Sequence, residues 1–149
     1  MSDAIEQAAD ALVFIRRPRP TDQSFIASTW VDSMKLGTKR STHPRAGLNA
    51  TVDQLLDDAA VRLLIASEPS RQDVILGWIC YTPMPGSRII HYVYVRERMR
   101  RRGIAAALYR KAFPRDVGKL VYTMRGPDAE SLAKRYRDAI SMPLEDFLG

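Results

Sequence analysis

Between residues 61 and 95 the chain carries three apolar runs, Val61–Ala66, Val74–Tyr81 and Arg88–Val95, divided only by the short segments Glu68–Asp73 and Pro83–Gly86. No other stretch constrains the fold as much. Runs of this length, rich in Val, Ile, Leu and Tyr and punctuated by Pro- and Gly-bearing turns, read as an antiparallel meander of three strands. At Val95 the composition changes. Arg96–Arg102 holds five arginines and one glutamate. After Gly103, Ile104–Phe113 repeats its apolar residues at helical spacing until Pro114 stops it. Leu120–Met124 then returns as a short strand. Strand, helix and strand in that order make a crossover to a parallel neighbour.

The flanks add helices. Leu12–Ile15 reads as a first strand, ended by Pro18 and Pro20. Thr21 is expected to cap a helix from Asp22 to about Ser33, with Phe25, Ile26, Trp30 and Met34 on one face. Lys35–Ala50 carries Gly37, Pro44 and Gly47, has no period, and reads as a long loop. Thr51 is expected to cap a second helix whose apolar face is Val52, Leu55, Leu56 and Ala59. After Gly126 and Pro127, Asp128 opens a helix to about Ile140, with Leu132, Tyr136 and Ile140 on one face. Met1–Ala11 reads as a tail or a frayed helix. The expected architecture is a mixed α/β (α+β) fold of one domain over residues 1–149. It has a mostly antiparallel central sheet, one β-α-β crossover and flanking helices.

Composition narrows the class. A hydrophobic fraction of 46% excludes global disorder. A single cysteine, Cys80, excludes an internal disulfide framework and a Cys-based zinc finger, and reads as core packing. No apolar stretch approaches the ~18 residues of a membrane span, and no secretory signal is visible, so a cytoplasmic protein is expected. The net charge of +6 suits either nucleic acid or a small polyanionic ligand.

The stretch from His91 to Leu108 carries the chemistry. A buried strand runs into a basic loop and then a helix, whose first N–H groups lack partners and carry partial positive charge. Gly103 and Ala105 let a ligand approach the backbone, and the arginines supply forked donors. Such an assembly suits a phosphate or pyrophosphate, although a strand-to-helix turn with a solvated basic face has the same pattern. It lacks the Gly-Lys-Ser/Thr ending of a P-loop and two of the three glycines of the dinucleotide fingerprint.

Val95, followed by Arg100-Arg101-Arg102-Gly103-Ile104-Ala105 between a strand and a helix, resembles motif A of the GNAT acyltransferase superfamily. The element order fits that family's fold over nearly the whole chain. The His-Tyr-Val-Tyr-Val strand is also similar to one in small phage-encoded GNAT-like proteins. The resemblance implies a site for acetyl-CoA or another acyl-CoA. The main chain at Val93, Tyr94 and Val95 would hold the pantetheine arm and thioester oxygen. Arg100, Arg101, Arg102, Gly103, Ile104, Ala105 and Ala106 would hold the pyrophosphate. Arg88–Val95 and Leu120–Met124 would splay to open the slot. The implied reaction is direct attack of an amine acceptor on the thioester, with no metal and no covalent enzyme intermediate.

Proton transfer needs a base and an acid. The resemblance implies Tyr136 as the acid for the leaving thiolate, although Asp128 stands where an Asn is frequent and no Gly-Phe follows; Tyr136 also reads as a core-facing helix residue. It implies His91 as a base through water; a structural histidine among tyrosines is the other reading. Glu97 and His43 read as exposed loop residues, and Trp30 as packing. Two further basic clusters, Arg16/Arg17/Arg19 and Lys35/Lys39/Arg40/Arg45, suit an acidic acceptor such as nucleic acid or an acidic protein. The competing expectation is a GNAT-fold protein without activity that binds nucleic acid or serves as a structural element.

Overall fold

The computed structural model describes residues 12–37, 45–115, 118–124, 128, 132, 140 and 141. Six strands form one sheet in chain order: β1 (Phe14–Arg16), β2 (Arg62–Glu68), β3 (Arg71–Met84), β4 (Ser87–Val95), β5 (Lys119–Tyr122) and β6 (Ile140–Ser141). The first four pair antiparallel, as a meander requires, and β4–β5 and β5–β6 are parallel. The mixed, mostly antiparallel sheet matches the expectation from sequence. The second parallel pair was not expected: Ile140, assigned to a helix face, lies in β6 opposite Val121.

Helices α1 (Gln23–Gly37) and α2 (Arg45–Asp57) precede the meander, and α3 (Ile104–Ala112) connects β4 to β5. The expected loop over Lys35–Ala50 is shorter than its composition suggested. Helix α1 continues through Lys35–Gly37, and α2 begins at Arg45, so Thr51 lies inside a helix and not at its start. Thr21 is likewise no cap, because a 3-10 turn over Pro20–Asp22 leads into α1. Asp22 organises that turn. Its carboxylate accepts the Arg19 N–H at 2.6 Å and takes both terminal nitrogens of Arg16, at 2.7 and 3.0 Å. Arg16 also donates its Nε–H to the Gln72 carbonyl of β3 at 3.0 Å. A bidentate pair of this kind fixes the corner between β1 and α1.

Each sheet face buries its own core. On one side α3 packs Ile104, Leu108 and Tyr109 against Ile79, Ile90, Val93 and Tyr122. On the other, α1 and α2 bring Ile26, Trp30, Val52 and Leu55 onto Ile65, Trp78, Cys80 and Tyr92. Alternation along β4 does the sorting: Val93 and Val95 face α3, and Tyr92 and Tyr94 face α1. Trp30 stacks on Tyr92 with centroids 5.3 Å apart, which settles it as core. Cys80 is fully buried, and burial pushes its thiol pKa up.

The β4–β5 pairing runs only from Ser87↔Lys119 to Ile90↔Tyr122, with one further bond from the Thr123 N–H to the Ile90 carbonyl. Beyond it β5 ends, while β4 runs on to Val95. His91 sits at that point. It is a bulge residue, since Cys80 opposes Tyr92 while Tyr81 opposes Ile90. Its ring is buried, with Nε2 2.8 Å from the Thr82 hydroxyl and Nδ1 2.8 Å from the Thr123 hydroxyl. The imidazole therefore ties β3, β4 and the end of β5 together. Burial pushes its pKa down to about 4.

Two predictions follow from these buried polar groups. Replacing Asp22 by Ala leaves the Arg16 guanidinium buried without its counter-charge. It costs about 3 kcal/mol, or roughly 10 °C in Tm, read by thermal unfolding at neutral pH. The His91 pKa is lower folded than unfolded, so its contribution is complete above about 6.5 and declines as pH falls toward about 4. Urea titrations across that window lose up to about 3 kcal/mol from this group, and in His91→Gln that component of the slope is absent.

Candidate functional site

A cleft of about 350 Å³ lies at the C-terminal end of β4, past the end of its pairing with β5. Its walls are Val95, the turn after it, the start of α3, and the segment that carries Asp128 and Leu132. That volume lies in the range of small-molecule sites. Gly77 of β3 shapes the far side of β4. A Cβ there would come within 2.7 Å of the Tyr94 carbonyl oxygen, so only glycine lets β3 lie this close.

The turn is built from unusual backbone. A 3-10 turn over Glu97–Met99 follows Val95, Arg101 then adopts φ 65°, and Gly103 adopts φ 81° immediately before α3. A left-handed arginine costs about 1 kcal/mol, and such strain concentrates at binding loops. Gly103 offers no side chain to cap α3. The first-turn N–H groups of a helix have no acceptors within it, and Ile104, Ala105 and Ala106 of that turn in α3 line the cleft wall. Small side chains there keep the helix backbone within reach of a ligand.

Of the residues that the resemblance singled out for the cofactor, Val95, Arg100, Arg101, Gly103, Ile104, Ala105 and Ala106 meet at this cleft. Val93 is fully buried in the α3-side core. Tyr94 is half-buried on the opposite sheet face, stacked 5.9 Å from Trp78. Arg102 is exposed beside the cleft and does not line it. Arg96 folds back, donating to the Ile75 carbonyl of β3 and lying 5.2 Å from the Phe25 ring centroid.

His91 is not among the cleft residues, and both of its nitrogens hold threonine hydroxyls. A base acting through cleft water needs a ring nitrogen directed there. Tyr136 and His43 lie outside the described residues. Glu97 is exposed, as its loop position suggested. Among the described residues, no cluster of three His, Cys, Asp or Glu side chains is placed to hold a metal ion. No helix among them is long and apolar enough to cross a membrane.

The sequence reading did not anticipate Met99, Leu132 and, above all, Asp128 as cleft residues. The Asp128 side chain is 9% exposed and ion-pairs with Arg100 Nε at 3.0 Å through Oδ1. Oδ2 accepts the Val95 backbone N–H at 2.9 Å. Burial raises its pKa above the usual carboxylate value, while the Val95 N–H and Arg100 oppose that shift. The available signal was an aspartate, in place of an asparagine, at the helix start.

The sequence pattern and the fold agree with known proteins. The profile of the acetyltransferase (GNAT) family matches residues 25–119. Among solved structures, a ribosomal-protein-alanine N-acetyltransferase from Brucella melitensis is similar in fold. It has 24% identity, a TM-score of 0.57, and coverage of 83% of this chain and 90% of that one. A GNAT family acetyltransferase from Brucella melitensis in complex with acetyl-CoA has 19% identity and a TM-score of 0.56, covering 83% of this chain and 80% of its own. No curated protein matches the chain. With a family profile that covers residues 25–119, well over half of its length, the chain belongs to the acetyltransferase (GNAT) family.

Proposed function

We propose that the protein is an acyl-CoA-dependent N-acyltransferase, which moves an acetyl group from acetyl-CoA directly to an amine. The observation that carries this reading is the cleft between β4 and α3. It joins open backbone, an uncapped helix start and arginines in one concave site. The donor set fits a pyrophosphate-bearing ligand: Ala105 and Ala106 leave room, and Arg101 and Arg102 lie exposed at the rim. The acetyl-CoA complex of the Brucella relative supports the choice of donor.

In this reading, bound acetyl-CoA supplies an activated acyl carbon. The chain's part is to hold and orient it. Main-chain groups of Val93, Tyr94 and Val95 align the pantetheine arm and polarise the carbonyl, because fixed N–H donors act strongly in a dry site. Arg100, Arg101, Arg102 and the α3 start, Gly103 to Ala106, neutralise the phosphates. The amine nitrogen forms the new C–N bond as the C–S bond breaks. The amine gives up a proton to water, and Tyr136 donates one to the departing sulfur and is reprotonated from solvent. His91 acts as a pin that ties β4 to β3 and to Thr123 just beyond β5, because its nitrogens are engaged within the sheet. The acceptor is an amine-bearing molecule that meets the α1–α2 side of β4, where Tyr94 is half-buried.

The rival reading, an inactive GNAT-fold protein that binds nucleic acid, rests on free basic charge. Arg16 is buried against Asp22, Arg96 lies on Phe25, and Arg100 pairs with Asp128, which weakens it.

Calorimetric titration with acetyl-CoA tests the donor site. The wild-type protein binds, and Gly103→Glu and Ala105→Glu each weaken binding by roughly a hundredfold or more, by filling the cleft and placing a carboxylate against phosphate. Ala105→Glu keeps a helical backbone, so its unchanged melting curve separates blockage from unfolding. In a free-thiol assay with an amine acceptor, Tyr136→Phe lowers kcat by about a hundredfold and leaves acetyl-CoA affinity unchanged. A wild-type protein that gives no heat with acetyl-CoA but binds DNA with strong salt dependence would favour the rival reading.

A further inference from the structure

The cleft has basic and open-backbone groups that suit an anion, and the chain's own Asp128 carboxylate already lines it. Asp128 projects a nearly buried carboxylate onto the Val95 N–H, the polar backbone group at the cleft's inner end, and onto the guanidinium of Arg100. Both contacts are charge-assisted, and both involve groups that a polar or anionic ligand in this cleft would need. Tyr92 and Tyr94 of β4 are the other titratable groups whose charge couples to Asp128. Arg101 lines the same cleft, and the first turn of α3 there, Ile104 to Ala106, carries no charge. The carboxylate thus fills, from within the chain, the role of a bound anion.

We propose that Asp128 is an intramolecular latch on the donor site: its carboxylate holds Val95 and Arg100 in the free protein, and an acyl-CoA ligand binds by displacing it from them. This rests on the donor-site reading given above. It adds that the site is closed by the protein's own charge. Burial raises the pKa of Asp128, and the Val95 N–H and Arg100 lower it, so the two contacts favour the charged form of a carboxylate held away from water. The latch sets the ligand's cost of binding, because two charge-assisted contacts must be exchanged for new ones. It also shields Val95 and Arg100 from adventitious anions when no donor is present.

The test combines calorimetry with NMR of the Val95 amide in the full-length protein. Acetyl-CoA is the probe in both arms. Asp128→Asn retains a neutral acceptor for the N–H and loses the ion pair; Asp128→Ala loses both. Each binds acetyl-CoA about tenfold more tightly than the wild type. Glu97→Gln removes an exposed charge from the neighbouring turn and changes affinity less than about twofold, which separates a latch from a general change in field. In the free wild-type protein the Val95 amide shift follows a carboxyl titration. Saturating acetyl-CoA abolishes that coupling, and free Asp128→Ala never shows it. Should Asp128→Asn fail to fold, the wild-type NMR comparison decides alone. A Val95 amide that still tracks the carboxyl in the complex, or equal tightening by Glu97→Gln, overturns the latch and leaves the donor site standing. Absence of binding by the wild type and by both Asp128 variants overturns the donor site as well, whereas binding by the variants alone supports the latch.

Discussion

The structure depends on where the parallel pairing of β4 and β5 stops. Four register pairs and the Thr123–Ile90 bond hold the strands together, and then β4 continues to Val95 with no paired strand on that edge among the described residues. A strand edge without a paired neighbour is ordinarily a liability. Here Asp128 accepts the Val95 N–H at its far end, and His91 fixes the register where the pairing stops. His91 occupies a bulge, and its two nitrogens reach threonines on β3 and beyond β5. A neutral imidazole can offer one donor and one acceptor, and each threonine hydroxyl can take either role, so the pin is satisfied without charge. The imidazole is thus engaged within the sheet, beside the point where the β4–β5 pairing stops.

The other face of the sheet keeps that opening from spreading. Helix α1 is fastened by apolar area and by polar handles as well. The Trp78 indole donates to Thr29 at 3.0 Å, and the Tyr92 and Ser33 hydroxyls lie 2.7 Å apart. Stacked aromatic pairs add about 1 kcal/mol each beyond their buried area. Because Tyr92 and Tyr94 anchor β4 from one side, Val93 and Val95 present their backbone from a rigid strand on the other. Gly77 completes the arrangement by letting β3 press against Tyr94 without a side chain between them. Precision at a binding backbone comes from packing on the face opposite to it.

The meander was legible because period and punctuation agree: apolar runs bounded by Pro, Gly and charged turns have few other folds. The strand-to-helix stretch was legible because a buried run, a basic loop and Gly103 form one local unit. Helix ends were not. Thr21 and Thr51 have the right side chains for caps, but Asp22 is captured by Arg16, and α2 starts at Arg45, before Thr51 is reached. Nor could local pattern reveal Asp128, whose partners Val95 and Arg100 are distant in sequence and meet it only in the folded chain. Ile140 suited a helix face by spacing alone, yet a sheet edge at β5 claims it as β6. The residues misread from sequence are those whose surroundings come from tertiary contacts.

Charge follows the same logic. A net charge of +6 describes the chain as if every arginine faced water. The fold redistributes that charge. Arg16 faces Asp22 in the interior, and Arg96 lies along Phe25 with its Nε–H on a carbonyl. Arg100 faces Asp128 at the cleft, while Arg98, Arg101 and Arg102 stay exposed around its rim. A diffuse positive surface would attract any polyanion and release it with salt. A rim of exposed arginines around a cleft lined by an internal carboxylate discriminates more. An anion is drawn to the rim, but only a ligand that can also replace Asp128 at Val95 gains the inner contacts. Selection at this site therefore lies in the exchange of one carboxylate for a ligand, and the excess of positive charge serves mainly to bring that ligand to it.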